Sequence, residues 1–232
     1  MFELIAFDAD DTLWENEAFY VEGRETYHQI LEPYEPPADL DERLDMVENR
    51  NIPYFGYGVS SFVDSLIENA IEVTGGRISA ADIKKIMEIA RAMIDRKIDL
   101  LDHAEPALRR LSAKYPLTMI TKGDLLHQRL KLEKSGLQAY FKSVEVVADK
   151  TPEVYAEILE RHHVRPGNFL MIGNSMRSDI LPVLELGGHA AYVPSRLQWA
   201  HEHRELPAEL AANFVEMEHL GQVADWIEGI RL

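Results

Sequence analysis

Apolar residues follow two rhythms along this chain. Short, nearly continuous apolar runs occur at Phe2–Phe7, Leu117–Thr121, Val144–Val147, Asn168–Gly173 and His189–Val193. Runs of this length without helical spacing predict strands, the first of them buried on both faces. Helical patterns cover Ala104–Tyr115, Leu125–Ser135, Pro152–His163 and Ser178–Leu186. Their ends carry suitable residues: Pro106 near a start, Thr151 as an N-cap, Gly136 as a C-cap and Gly187-Gly188 as a stop. Glu216–Ile230 reads as an amphipathic closing helix. Strands alternating with helices predict an α/β fold with a parallel, doubly wound sheet.

Residues 15–99 break the alternation. They read as helix after helix, Asn16–Leu31, Leu40–Asn49, Ser60–Thr74 and Ala80–Asp95, punctuated by Pro33, Pro36-Pro37 and Gly75-Gly76. This predicts two domains: a core from residues 1–14 and 100–232, and a small all-helical domain at 15–99. No internal repeat or low-complexity tract is present.

Composition narrows the chemistry. With 46% apolar and 28% charged residues, the chain can bury a core. A formal net charge of −16 repels nucleic-acid backbones and anionic membranes, so neither is an expected partner. An anionic small molecule remains compatible, because a local cation reverses the sign inside a cleft. The absence of cysteine excludes thiol nucleophiles, disulfides and thiolate zinc sites. The first residues have no basic region, and their apolar run is too short for a signal peptide or a membrane span. The expected location is cytoplasmic.

Candidate chemistry collects just beyond the strand ends, where ligands bind in open α/β sheets. The first run ends in Asp8-Ala9-Asp10-Asp11-Thr12. Strand alternation puts Asp8 and Asp10 on one side. Two facing carboxylates call for a hard divalent cation, and Mg2+ suits phosphates. Asp8 then serves as nucleophile and Asp10 as acid/base; the plainer reading is a helix cap or solvated turn, which Asp11 fits. Thr121, followed by Lys122-Gly123-Asp124, offers a hydroxyl and backbone N–H groups for phosphate oxygens, or only a turn. Lys150 offers an ammonium near Asp8, or only a surface lysine. Met171-Ile172-Gly173-Asn174-Ser175-Met176-Arg177-Ser178-Asp179 places Asn174 and Asp179 as further oxygen ligands.

These segments resemble, in order, the four motifs of the haloacid dehalogenase-like hydrolase superfamily: Asp8-x-Asp10-x-Thr12, Thr121, Lys150 and Gly173-Asn174-xxxx-Asp179. The resemblance covers the core and implies a nucleophilic Asp8, an aspartyl-phosphate intermediate and Mg2+. It also implies that the second acid, Asp10, marks a phosphatase and not a dehalogenase. Metal candidates are Asp8, Asp10 through its backbone carbonyl, Asn174 and Asp179. Asn174 departs from the family pattern, which has an acid there, and predicts weaker metal binding.

By the same resemblance, the helical insert is a cap over the site. Trp14, Asn16 and Glu17 stand where it is entered, and Asn51–Gly58 forms an aromatic, glycine-rich stretch with Tyr54, Phe55 and Tyr57. Trp14, Asn16, Tyr54, Lys122, Gly123 and Arg177 are thus the candidate substrate or phosphate contacts. Core packing is the competing role for the aromatics, and a surface ion pair for Arg177. Lys84, Lys85 and Lys97 are the only cap lysines to consider for a Schiff base, and a solvated helix face is the simpler reading. His162-His163 and His201-x-His203 lack a metal-binding pattern. The expected activity is Mg2+-dependent hydrolysis of a small phosphorylated metabolite, a nucleotide monophosphate or sugar phosphate. A phosphotransferase and a non-catalytic binding protein are the alternatives.

Overall fold

The computed structural model describes residues 2–196 and 204–229; His201, His203 and Ile230 of the sequence reading lie outside them. The described residues fall into two units.

The first unit is Met1–Glu17, Ile98–Lys122 and Gln128–Leu232. Its six-stranded parallel sheet comprises β1 (Leu4–Phe7), β2 (Leu117–Lys122), β3 (Ser143–Val147), β4 (Phe169–Gly173), β5 (His189–Tyr192) and β6 (Phe214–Glu216), in the order β3-β2-β1-β4-β5-β6. This is the parallel α/β sheet that the sequence pattern predicts. β1 is central, with Ile5 level with Leu117 on one side and Leu170 on the other. Its side chains alternate between two cores. Ile5 and Phe7 pack with Leu108, Leu111 and Val223, while Leu4 and Ala6 pack with Tyr155, Ile158 and Leu159. Burial on both faces is why the run is continuously apolar.

Helices α5 (Ala104–Ser112), α6 (Leu125–Ser135), α7 (Pro152–Arg161), α8 (Leu181–Glu185) and α9 (Gly221–Gly229) connect or cover the strands. Thr151 caps α7 as expected, its side chain accepting from the Val154 N–H. The helix expected from Ser178 instead opens as a π-turn, Met176–Ile180, and α8 follows with Pro182 in its first turn. Proline has no N–H, so it is tolerated at a helix start and ends regular hydrogen bonding before it. The closing helix starts at Gly221, because Phe214–Glu216 pairs with β5 as an edge strand. Three residues are too few to carry a strand pattern.

The second unit is Ala18–Lys97 with Gly123–His127. Its borders fall a few residues from those expected at 15 and 99, and the added segment sits with it because a Cβ on Gly58 would lie 3.3 Å from the Asp124 nitrogen. It is all-helical: α1 (Glu17–Leu31), which begins one residue before the border, α2 (Leu40–Phe55), α3 (Val59–Val73) and α4 (Ala80–Asp95). The helices bury Tyr27, Leu31, Leu44, Phe62, Leu66, Ile86 and Ile89. The expected aromatic loop after Asn49 is helical to Phe55, despite Pro53. Buried Asn51 explains the extension, since its Nδ2 donates to Ser65 and Glu68 and ties this last turn to α3. Among the described residues, no helix is long and apolar enough to cross a membrane.

Candidate active site

The C-terminal end of β1 delivers Asp8 into a buried polar cluster. The Asp8 N–H donates to the Ile172 carbonyl, continuing the β1–β4 ladder, and the chain then turns as Leu13 N–H donates to the Ala9 carbonyl. One Asp8 oxygen receives the Lys150 ammonium at 2.5 Å, and the other accepts from the Thr12 hydroxyl at 3.2 Å. Lys150 also donates to Asp179 Oδ1 at 2.6 Å. Asp179 Oδ2 accepts the Ser175 N–H at 3.0 Å. Gly173 makes this approach feasible, because a Cβ there would lie 2.3 Å from Asp179 Oδ2.

Burial alone would discharge Lys150, but Asp179 and Asp8 outweigh it and hold the ammonium charged above its usual range. Burial pushes Asp8 up to about 7; Lys150 opposes the shift and Asp179 adds to it. Two acids against one ammonium leave the cluster short of positive charge.

Asn174 follows β4 and turns its amide end toward Thr12 Oγ1, the Asp10 carbonyl and Asp8 Oδ2, at 3.0, 3.2 and 3.2 Å. With nitrogen there, the two amide protons face these three acceptors. With oxygen there, Asn174 Oδ1 lies beside the Asp10 carbonyl and Asp8 Oδ2, three hard oxygen donors. This donor chemistry fits Mg2+. Among the described residues, no three His, Asp or Glu side chains are grouped to hold a metal, so such a site depends on the amide and the backbone carbonyl. Both Asp179 oxygens are already engaged.

Thr121 is buried at the end of β2, its hydroxyl 3.4 Å from the Lys122 carbonyl. Lys122 donates to the Ser178 hydroxyl at 2.8 Å. Gly123 has φ +119°, a conformation that favours glycine, and belongs to the second unit. Arg177 lies 3.8 Å from Asp149 at the surface, in line with an ion pair.

The expected pairing of Asp8 and Asp10 side chains needs correction. Strand β1 ends at Phe7, so alternation does not extend through Asp10. The Asp10 carboxylate turns instead to Trp14 Nε1 at 2.7 Å, Gln128 Nε2 at 2.8 Å and Lys131 Nζ at 2.9 Å from each oxygen. Burial alone would raise its pKa, but Lys131, Gln128 and Trp14 prevail and hold it below the usual carboxylate range. Trp14 is fully buried, so its expected substrate contact is replaced by this bond to Asp10. Asn16 is likewise engaged: its side-chain oxygen accepts from Lys131 at 2.7 Å and its N–H donates to Asp11. Asp11 does cap, as expected, accepting from Asn16 and Glu17 N–H at the start of α1 from a left-handed conformation of φ +58°. Sequence reasoning missed Gln128 and Lys131. Their spacing of three puts them on one face of α6, but nothing in the sequence points that face at Asp10.

Tyr54 stands 81% exposed near the end of α2 in the second unit. Lys84, Lys85 and Lys97 are exposed, and Lys85 pairs with Asp82, so none is a desolvated amine. His162 pairs with Glu145.

Comparisons with known proteins bear on the family and the fold. A family model described as haloacid dehalogenase-like hydrolase matches residues 2–187. N-acylneuraminate-9-phosphatase from Mus musculus is 26% identical over 129 residues, which is 52% of this chain and 51% of that protein. The chain thus spans about half the length of the curated relatives it matches. A haloacid dehalogenase-like family hydrolase from Xanthomonas campestris superposes with a TM-score of 0.87 at 36% identity, over 98% of this chain and 91% of that one. A 2-haloacid dehalogenase from Pseudomonas syringae shares the fold, with a TM-score of 0.67 at 21% identity over 98% and 99% of the two chains. The matched region contains Asp8, Thr121, Lys150 and Asp179, and the chain belongs to the haloacid dehalogenase-like hydrolases.

Proposed function

We propose that the protein is a Mg2+-dependent phosphatase that hydrolyses a small phosphate monoester through an aspartyl phosphate on Asp8. The observation that carries this reading is the buried Asp8–Lys150–Asp179 cluster, with a second acid, Asp10, two residues on. An ion bound by Asp8, the Asp10 carbonyl and Asn174 would supply charge neutralisation for the phosphoryl oxygens. Lys150 holds Asp8 in place and adds a second positive charge beside the reacting phosphate, while the Thr121 hydroxyl orients an oxygen. Asp8 displaces the ester oxygen in line. Asp10 gives that oxygen a proton and later takes one from the water that cleaves the aspartyl phosphate. Asp179 acts through Lys150, and Lys122, Gly123 and Arg177 remain candidates for phosphate contact.

The phosphatase relatives favour sugar phosphates, N-acylneuraminate 9-phosphate among them, over nucleotide monophosphates. The helical second unit serves as the cap that selects the ester, with Tyr54 as one candidate contact. The test is phosphate release from a panel of sugar phosphates and nucleotide monophosphates, with and without Mg2+. Release should need Mg2+ and vanish in Asp8→Asn. Full turnover by that variant or by chelated protein would refute the mechanism.

A further inference from the structure

Asp10 has every acceptor position of its carboxylate filled. A carboxylate offers about four lone-pair sites, and Trp14, Gln128 and Lys131 make four contacts with it, two of them from Lys131. The Lys131 ammonium is equally complete, with three acceptors for its three protons: Asp10 Oδ1, Asp10 Oδ2 and Asn16 Oδ1. Both side chains are largely buried, 15% exposed for Lys131 and 22% for Asp10. Gln128 points its NH2 at Asp10 and the Lys122 carbonyl, which leaves its own Oε1 buried without a partner. A buried unsatisfied oxygen is costly and needs a reason. Two acceptors, one of them Asp10, supply it.

A general acid must keep its orientation while one oxygen gives up its contacts to carry and deliver a proton. Trp14 touches only Oδ1 and Gln128 only Oδ2. Lys131 touches both, so it keeps hold of whichever oxygen is not reacting. We propose that Lys131 is a positioning residue for proton transfer, clamping Asp10 so that it meets the leaving oxygen of the ester in one orientation. In the step it serves, one Asp10 oxygen first gives up its contacts and takes a proton from solvent; the P–O bond to the leaving group then breaks, its electron pair stays on the leaving oxygen, and the Asp10 proton moves there. Asp10 is left as the carboxylate held by four donors. The inference rests on the phosphatase reading and adds a residue to it.

Phenyl phosphate and p-nitrophenyl phosphate separate this role from a structural one. Phenolate is much the stronger base and needs the proton more. kcat/KM reports only the steps through release of the phenol, so later hydrolysis of the aspartyl phosphate does not mask the effect. Lys131→Met should lower kcat/KM for phenyl phosphate by about 30-fold or more and for p-nitrophenyl phosphate by several-fold less, with the loss on phenyl phosphate no larger than the roughly 10⁴-fold upper end of general acid catalysis. Lys131→Arg, whose fork also spans two carboxylate oxygens, should recover most of the loss. If the Met variant does not fold, Lys131→Gln with the same two esters carries the test, and thermal melting confirms the fold of each variant. Equal losses on both esters, or no loss, overturn the inference. Wild-type protein inactive on both esters and on the sugar-phosphate and nucleotide panel, or undiminished turnover by Asp8→Asn, overturns the phosphatase reading beneath it.

Discussion

Lys150 and Asp179 form an ion pair sealed from solvent, Nζ to Oδ1 2.6 Å, with each side chain about 1% exposed. Coupled to Asp8 on its other side, Lys150 joins the third and fourth motif segments to the first. Removing one partner of a buried pair strands the other as an uncompensated charge. Lys150→Met strands two carboxylates, so it should cost about 3–5 kcal/mol of stability as well as activity. Urea unfolding of the metal-free protein checks this, and a loss below about 1 kcal/mol would show that water reaches the pair.

Gly173 holds its place for a steric reason. A methyl group there overlaps the Asp179 carboxyl, which is fully buried and cannot step aside. Gly173→Ala should therefore displace Asp179 from Lys150, with a stability loss of about 2–4 kcal/mol and a collapse of phosphatase activity. Gly187→Ala, at φ +82° with open space around its Cβ, is the control. It should cost only the backbone strain of a left-handed alanine, about 1 kcal/mol, and leave activity near that of the wild type.

Asn174 offers a neutral oxygen where the motif usually has an acid. Asn174→Asp adds a charge to the proposed donor set and should lower the Mg2+ concentration for half-maximal activity by about tenfold, on the scale of ligand-charge effects in oxygen sites. In the absence of metal the same variant should be less stable, because it adds a carboxylate 3.2 Å from Asp8. Unchanged Mg2+ dependence would place the metal elsewhere.

Asp11 makes stability depend on pH in an unusual direction. Burial raises its pKa from 3.8 to about 6, against the N–H groups of Glu17 and Asn16. The folded protein thus binds this proton more tightly than the unfolded chain does. Its contribution is full below pH 3.8 and is lost as pH rises through 6. Asp11→Asn keeps an oxygen for the two N–H groups but cannot ionise. Relative to wild type, it should gain about 2 kcal/mol between pH 4 and pH 7, read by denaturant unfolding at several pH values. A difference that does not change with pH would refute the assignment.

Particular elements show what could be read from residues alone. The Leu4–Phe7 run declares a central strand because apolarity without periodicity is what burial on two faces requires. β6 was invisible because a three-residue edge strand leaves no pattern and forms only by pairing with β5. The helical turn at Asn51–Phe55 runs through a proline and is held by contacts to α3, a tertiary effect. Trp14 looked like a substrate contact because it follows the first motif, but it is buried against Asp10.

The sequence by itself determined the parallel α/β class, the helical insertion and the order of Asp8, Thr121, Lys150 and Asp179 at strand ends. These follow from local periodicity and from the rule that an open parallel sheet gathers its strand ends along one edge. Only the tertiary structure decided which groups meet. Lys150 is 142 positions from Asp8 and Lys131 is 121 from Asp10. Which helix face turns toward which carboxylate depends on packing across the whole sheet, and local sequence does not encode it. For that reason both acids were legible, and the side chain that clamps the second was not.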